Sequence, residues 1–293
     1  MTQRKNIINE SKVLRMKEYE LRNGVKIPCI GFGTWAVDDG QIAIDSIKKA
    51  IKSNYTLIDT AARYGNEKSI GEGIKESGIK REDLFLTSKV WNNHRGYDKV
   101  MEAFDQTVHD LGVDYLDLYL IHWPASAHQY ANYEEINRET WQALIDLYKA
   151  GKVRAIGVSN FKVHHLKALM DMEITPMVNQ IECHPGHYDQ ETISYCQAHN
   201  IVMEAWSPLG RGRVLNDERL GRIAKKNQMS TAQLCLAWNI AHKIIPLVKS
   251  TKKERMVENL AALNYTLSAE DVQAIDTMGE FGFSGQDPDT IDF

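Results

Sequence analysis

The sequence predicts an α/β chain folded as a (β/α)8 TIM barrel with an N-terminal β-hairpin and two extra helices. Three observations lead there. Short apolar runs alternate with amphipathic helical patterns along the chain. Polar residues close those runs at their downstream ends, and a parallel barrel opens every such end onto one mouth. The length of 293 residues also suits such a barrel, which commonly needs about 250.

The hairpin is expected first. Asn23-Gly24 lies between Glu20-Leu21 and Val25-Lys26-Ile27, a pairing typical of a type I′ turn, and the hairpin would plug the barrel floor. Strands are expected near 30–34, 56–60, 84–89, 116–122, 153–158, 176–181, 201–206 and 244–249. Helical spacing links them, as at Val100, Ala103, Phe104, Thr107 and Leu111, or Trp141, Leu144, Ile145 and Tyr148, with Gly151 as a stop. Helical patterns over 217–227 and 230–242 precede the last strand, so one is an insertion. Another covers 268–278 before a Gly/Asp-rich tail. No linker divides the chain, so we expect one domain over 1–293, with 1–16 a polar N-terminal extension.

Composition excludes several classes. A net charge of −4 gives no case for nucleic-acid or acidic-membrane partners. No apolar run is long enough to span a bilayer. Residues 1–16 lack the apolar core of a signal peptide. Cys29, Cys183, Cys196 and Cys235 show neither CxxC nor zinc spacing, which suits reduced thiols in a cytoplasmic protein. The His, Asp and Cys residues likewise show no metal-ligand spacing, so no metal is expected.

Two local patterns point elsewhere. Gly31-Phe32-Gly33-Thr34-Trp35-Ala36 fits G-x-G-x-x-A with Asp59 downstream, the form of a Rossmann dinucleotide site. That reading leaves the later strand-end residues without a common destination, whereas a barrel uses them all. Tyr64 and Lys68 fit the Tyr-x-x-x-Lys pair of short-chain dehydrogenases, but Gly65 and Asn66 interrupt the helix that pair requires.

The strand-end residues are Asp59, Lys89, His122, Ser159-Asn160, Gln180, Trp206-Ser207 and Lys249-Ser250. Their surroundings include Gly31-Phe32-Gly33-Thr34-Trp35, Asp59-Thr60-Ala61-Ala62-Arg63-Tyr64-Gly65-Asn66-Glu67 and Ser88-Lys89-Val90-Trp91. Leu120-Ile121-His122-Trp123-Pro124, Gly157-Val158-Ser159-Asn160-Phe161, Trp206-Ser207-Pro208-Leu209-Gly210 and Lys249-Ser250-Thr251 follow in order. In these segments the chain resembles the aldo-keto reductase family over nearly all of its length after residue 17.

The resemblance implies a catalytic tetrad of Asp59, Tyr64, Lys89 and His122, and the chemistry accounts for each type. Hydride transfer to a carbonyl builds negative charge on its oxygen, which then needs a proton. A phenol can give it, although a free one titrates near roughly 10. The Lys89 ammonium is expected to lower that value, with Asp59 holding the ammonium in place. Neutral His122 would orient and polarise the carbonyl.

The resemblance also implies NADPH/NADP+ as cofactor. Ser159, Asn160 and Gln180 would bind the nicotinamide carboxamide, and Trp206 would stack on the ring. Thr34 and Trp35 would border the cofactor, and Ser207, Leu209 and Gly210 would line the pyrophosphate. Lys249, Ser250 and Arg255 would hold the 2′-phosphate, with Glu258 and Asn259 near adenine and Thr251 also among the cofactor-binding residues. Two cations and a hydroxyl suit a phosphate dianion. Val248 stands where the family often has Pro.

Trp35, Trp91 and Trp123, with His122, would bind the small-molecule carbonyl substrate. Loop 124–134 and the tail would close over it, with Phe281, Phe283 and Phe293 adding apolar surface. Asp287-Pro288-Asp289-Thr290 resembles the tails of small bacterial members, which implies small aldehydes, 2-oxoaldehydes or keto sugars as substrates. A monomer is expected. Two rival expectations are an NADPH-binding sensor with little turnover, and a lyase or isomerase using Lys89 as a Schiff base. The second needs a neutral lysine, which Asp59 opposes.

Overall fold

A computed structural model describes residues 17–293; the predicted N-terminal extension lies outside the described residues. Strands β1 (Glu18–Glu20) and β2 (Lys26–Pro28) pair antiparallel with Tyr19 opposite Ile27. The turn differs from the type I′ expectation. Gly24 N donates to Leu21 O at 2.8 Å, and Leu21 N donates to Val25 O at 2.8 Å. Gly24 has φ +83°, but Asn23 is not among the residues with positive φ. Type I′ needs both central residues left-handed; here a turn centred on Arg22-Asn23 ends in a left-handed glycine, the three-residue hairpin. Asn23 is thereby freed to donate through Nδ2 to Arg154 O at 2.9 Å. With Leu21 and Ile27 buried, this tie secures the hairpin to the barrel floor.

The barrel begins at β3 (Gly31–Gly33), followed by α1 (Gln41–Lys52), β4 (Leu57–Asp59) and α2 (Glu67–Ser77). It continues through β5 (Phe85–Val90), α3 (Tyr97–Leu111), β6 (Leu116–Ile121), α4 (Tyr133–Lys149), β7 (Val153–Ser159) and α5 (Val163–Lys167). Then come β8 (Val178–Glu182), α6 (Gln190–Ala198), β9 (Val202–Trp206), α7 (Glu218–Lys226), α8 (Thr231–Ala241), β10 (Ile244–Val248), α9 (Lys253–Leu260) and α10 (Ala269–Asp276). Strands β3 to β10 form one closed parallel barrel, β10 returning to β3 with Val248 opposite Phe32. The strands are buried almost throughout, as parallel strands covered by helices must be.

The two extra helices are α7 and α10. Helix α8 packs on β10 as the regular crossover, opened by a capping box in which Ser230 and Gln233 satisfy each other's backbone N–H. The inserted α7 is capped by Asp217 and buries only Leu220 and Ala224. Helix α10 is stitched to α8, Trp238 Nε1 donating to Asp276 Oδ1 at 2.7 Å.

Closure of the barrel disposes of the dinucleotide-site pattern. Gly31 instead relieves crowding between strands, since a Cβ there would lie 2.6 Å from Leu247 Cδ2 and 2.7 Å from Leu57 Cδ2. At Gly33 the nearest atom would be 3.6 Å away, so the second glycine is not demanded by space. Among the described residues all four cysteines are free and buried, and no helix is long and apolar enough to cross a membrane.

Candidate active site

Four side chains widely spaced in sequence meet at the C-terminal mouth of the barrel. Asp59 ends β4, and Lys89 lies one residue before the end of β5. Tyr64 sits on a short 3-10 turn after β4, closed by Gly65 at φ +70°. His122 follows β6, its N–H donating to Val90 O at 3.2 Å. Lys89 Nζ donates to Asp59 Oδ1 at 2.7 Å, to Thr60 O at 3.0 Å and to Tyr64 Oη at 3.2 Å. The rings of Tyr64 and His122 meet edge to face with centroids 5.6 Å apart. Lys68, the other lysine near Tyr64 in sequence, is exposed and lies 3.7 Å from Asp110.

Burial sets the protonation states. It pulls the Lys89 ammonium down, but Asp59 and Tyr64 outweigh it, so Lys89 titrates above its ordinary value and stays charged. A charged, paired lysine is not a Schiff-base nucleophile. Burial raises Tyr64, Lys89 pulls it down and Asp59 pushes it up; the balance lies above the usual phenol value. The expected lowering is therefore present but outweighed by desolvation, and the phenol keeps its proton at neutral pH. Burial, then the positive charges of Lys89 and Arg63, push His122 well below its ordinary value. It is a neutral imidazole. Its Nδ1 is buried without a hydrogen-bond partner among the described residues.

These groups face a cavity of about 820 Å³. Its lining contains Trp35, Asp59, Tyr64, Trp91, His122, Trp123, Ser159, Asn160, Gln180, Trp206, Ser207, Leu209, Lys249 and Arg255. Most of the residues singled out in the sequence thus reach one space, although they come from every part of the chain. Lys89 sits behind Tyr64, outside the lining.

Six expected cofactor residues do not line the cavity. Thr34 is fully buried and donates through Oγ1 to Asp59 O at 3.0 Å. Gly210 is buried with φ +54°, where a Cβ would lie 2.8 Å from Val214 Cγ1, so it shapes the loop. Ser250 Oγ accepts from Lys252 N at 3.1 Å, organising the entry to α9. Thr251 and Glu258 are exposed, and Asn259 is buried on α9.

The expected carboxamide ligands are engaged with one another. Ser159 Oγ donates to Gln180 O at 2.8 Å and accepts from Asn160 Nδ2 at 3.1 Å. Asn160 is left-handed at φ +64°, a conformation Asn tolerates. It donates to His122 O at 2.9 Å and accepts from Trp206 Nε1 at 2.7 Å. This lattice fixes the Trp206 indole at the mouth.

Two arginines escaped the sequence reading. Arg63 lines the cavity with its guanidinium 5.3 Å from the Trp91 ring. Arg211 bridges Trp35 and Trp206, at 4.5 and 5.6 Å from their rings. Arg63 stands inside the segment that contains Tyr64, and Arg211 lies between Gly210 and Gly212. Those positions were the available signals.

The tail closes the other side. Phe293 packs on Trp91 and Trp123, centroids 5.3 and 5.2 Å away, and Asn92 Nδ2 donates to Phe293 O at 2.9 Å. Gln129 from loop 124–134 donates to Ile291 O at 3.0 Å. Lys162 anchors the tail on Asp287 and Asp289, each at 2.8 Å. Phe281 and Phe283 do not join Phe293 in the lining. Phe281 lies against Gly186 and under Arg219, and Phe283 stacks on His187 at 4.3 Å.

Residues 29–280 match the model of the aldo/keto reductase family. A glyoxal reductase of Bacillus subtilis (strain 168) is 47% identical over 275 residues, covering 94% of this chain and 97% of that one. A 9,11-endoperoxide prostaglandin H2 reductase of Trypanosoma cruzi (strain CL Brener) is 43% identical, covering 92% and 94%. The crystal structure of a Gox0644 mutant in complex with NADPH superposes with a TM-score of 0.87 at 38% identity, covering 95% of this chain and 99% of that one. With a match over most of its length, a closed barrel and the Asp–Lys–Tyr–His cluster at its mouth, the chain belongs to the aldo/keto reductase family and is an oxidoreductase.

Proposed function

We propose that the protein reduces small aldehydes and ketones to alcohols, with Tyr64 as the proton donor and 2-oxoaldehydes or keto sugars as the favoured substrates. The observation that carries this reading is the line from the buried Asp59–Lys89 pair to half-buried Tyr64, ending beside neutral His122 in an aromatic cavity. NADP(H) is the cofactor. The residues present suit it: an elongated ligand can meet Ser159, Asn160 and Gln180 as well as Lys249 and Arg255 in the same cavity. When bound, the reduced nicotinamide supplies hydride to the carbonyl carbon.

The chain's own residues do the rest. Trp91, Trp123 and Phe293 exclude water and leave apolar walls that suit a small substrate. Tyr64 Oη holds the proton destined for the developing alkoxide. Lys89 stabilises the phenolate left behind, and Asp59 keeps that ammonium charged and immobile. Neutral His122 polarises the carbonyl without competing as an acid. The carbonyl substrate is the one partner this site calls for, and we read the chain as one working unit acting as a monomer.

The B. subtilis glyoxal reductase supports a 2-oxoaldehyde substrate. A panel of small aldehydes, ketones and keto acids, followed by NADPH absorbance, tests this. Oxidation of NADPH with glyoxal-type compounds is expected; no turnover with any carbonyl would leave the rival reading of a cofactor-binding sensor.

Arg255 and Lys249 are the basic pair assigned to the 2′-phosphate. Arg255→Ala is expected to weaken NADPH binding about tenfold or more, the size of a lost charged hydrogen bond, with NADH binding little changed. Equal weakening of both in a fluorescence titration would remove Arg255 from that role.

A further inference from the structure

A carboxyl group that the mechanism above does not use lies beneath the site. Glu204, in the middle of β9, is fully buried inside the barrel, and its Cα is in register with Gln180 on β8. Gln180 Nε2 donates one hydrogen to Glu204 Oε2 at 2.9 Å and the other to Asp59 Oδ2 at 3.0 Å. Asp59 passes the contact on to Lys89 and Tyr64, so Glu204 terminates a continuous line that ends on the phenol. Its second oxygen, Oε1, is buried without a partner among the described residues.

Asp59 decides which way the Gln180 amide faces, and Glu204 takes up the second amide hydrogen. The ionised, paired Asp59 can only accept, so it must see the NH2 end of Gln180. With both amide hydrogens spent on Asp59 and Glu204, only the carbonyl oxygen of Gln180 remains for the cavity that this residue lines. We propose that Glu204 is a positioning residue, which holds the Gln180 amide with its carbonyl oxygen available to an N–H donor such as the nicotinamide carboxamide. This deepens the cofactor reading given above and rests on it.

The charge of Glu204 has a further consequence. Burial raises this carboxyl, the Asp59 charge raises it further, and Gln180 and Lys89 oppose them; it titrates at about 8. Those are the charged and polar groups that act on it from β4, β5 and β8, while β10 presents apolar Ile245 in register. Below that pH Glu204 is a neutral acid, and Asp59 and Lys89 balance. Above it, a second negative charge appears one side chain behind the cavity. A negative charge there favours the cationic oxidised nicotinamide over the neutral reduced one.

Two variants test this. E204Q keeps an oxygen to accept from Gln180 and removes the ionisation; E204L removes the acceptor. In wild-type protein the ratio of NADP+ to NADPH affinity is expected to rise roughly tenfold as pH passes through the Glu204 transition, and E204Q should lack that rise. E204L should bind NADPH more weakly at every pH. Infrared difference spectra of the cofactor-free proteins, wild type minus E204Q, should show a protonated-carboxyl band that disappears on the alkaline side. Identical pH dependence in wild type and E204Q, no such band, or NADPH binding by E204L equal to wild type would each overturn the proposal. Failure of the wild-type protein to bind either nucleotide would instead count against the cofactor reading, because the infrared band is read without ligand.

Discussion

Tyr64→Phe is expected to lower kcat for carbonyl reduction by about a hundred- to ten-thousand-fold, the usual contribution of a positioned general acid, while NADPH affinity should stay at the wild-type value. The substitution removes one oxygen and keeps the ring that packs on His122. It therefore deletes the proton without opening a cavity. Activity of wild-type protein should be level through neutral pH, because burial raises the Tyr64 value and the acid form is the one needed. At saturating NADPH, kcat for reduction should fall only as pH rises through that raised value. Steady-state kinetics for both proteins, with cofactor binding measured separately, checks this. Retained kcat in the variant would remove Tyr64 as the acid.

Lys89→Met is expected to have a comparable effect on turnover and a large one on stability. Removing one partner of a buried ion pair typically costs about 3–5 kcal/mol, since the other charge is left unpaired. Asp59 would keep Gln180 as a donor but lose the ammonium at 2.7 Å. The double variant Asp59→Asn/Lys89→Met should regain much of the stability and none of the activity. Urea denaturation of the three proteins separates these effects. Without Lys89 the downward pull on Tyr64 is lost, so the alkaline decline of any residual activity should move to higher pH. Full activity in the double variant would show that the pair serves folding alone.

The barrel was legible because its information is local. Each parallel strand is a short apolar run, and the polar residue at its end falls on the mouth whatever its neighbours do, as Asp59, His122 and Lys249 illustrate. The insertion before β10 and the helix after α9 were legible for the same reason, since each carries its own period and cap. What depended on packing was not. Asn23-Gly24 serves two hairpin geometries, and its bond to Arg154 O joins residues far apart in the chain. The sign of the Tyr64 shift depended on how deeply the fold buries the phenol, which a list of neighbouring charges does not contain. Phe281, Phe283 and Phe293 are chemically alike in sequence, yet only Phe293 reaches the cavity, because the tail is pinned by Lys162 before it crosses the mouth. Glu204 was hidden inside an apolar run whose end, Trp206, drew attention instead.

The central claim is that a carbonyl oxygen sits between Tyr64 and His122 when the cofactor is in place. A crystal structure of the protein with NADP+ and an unreactive carbonyl ligand measures this directly. The carbonyl oxygen should lie within about 2.6–3.2 Å of both Tyr64 Oη and a His122 ring nitrogen, with the nicotinamide beside them. A nicotinamide or carbonyl bound elsewhere, with Tyr64 and His122 both left without ligand contact, would contradict it.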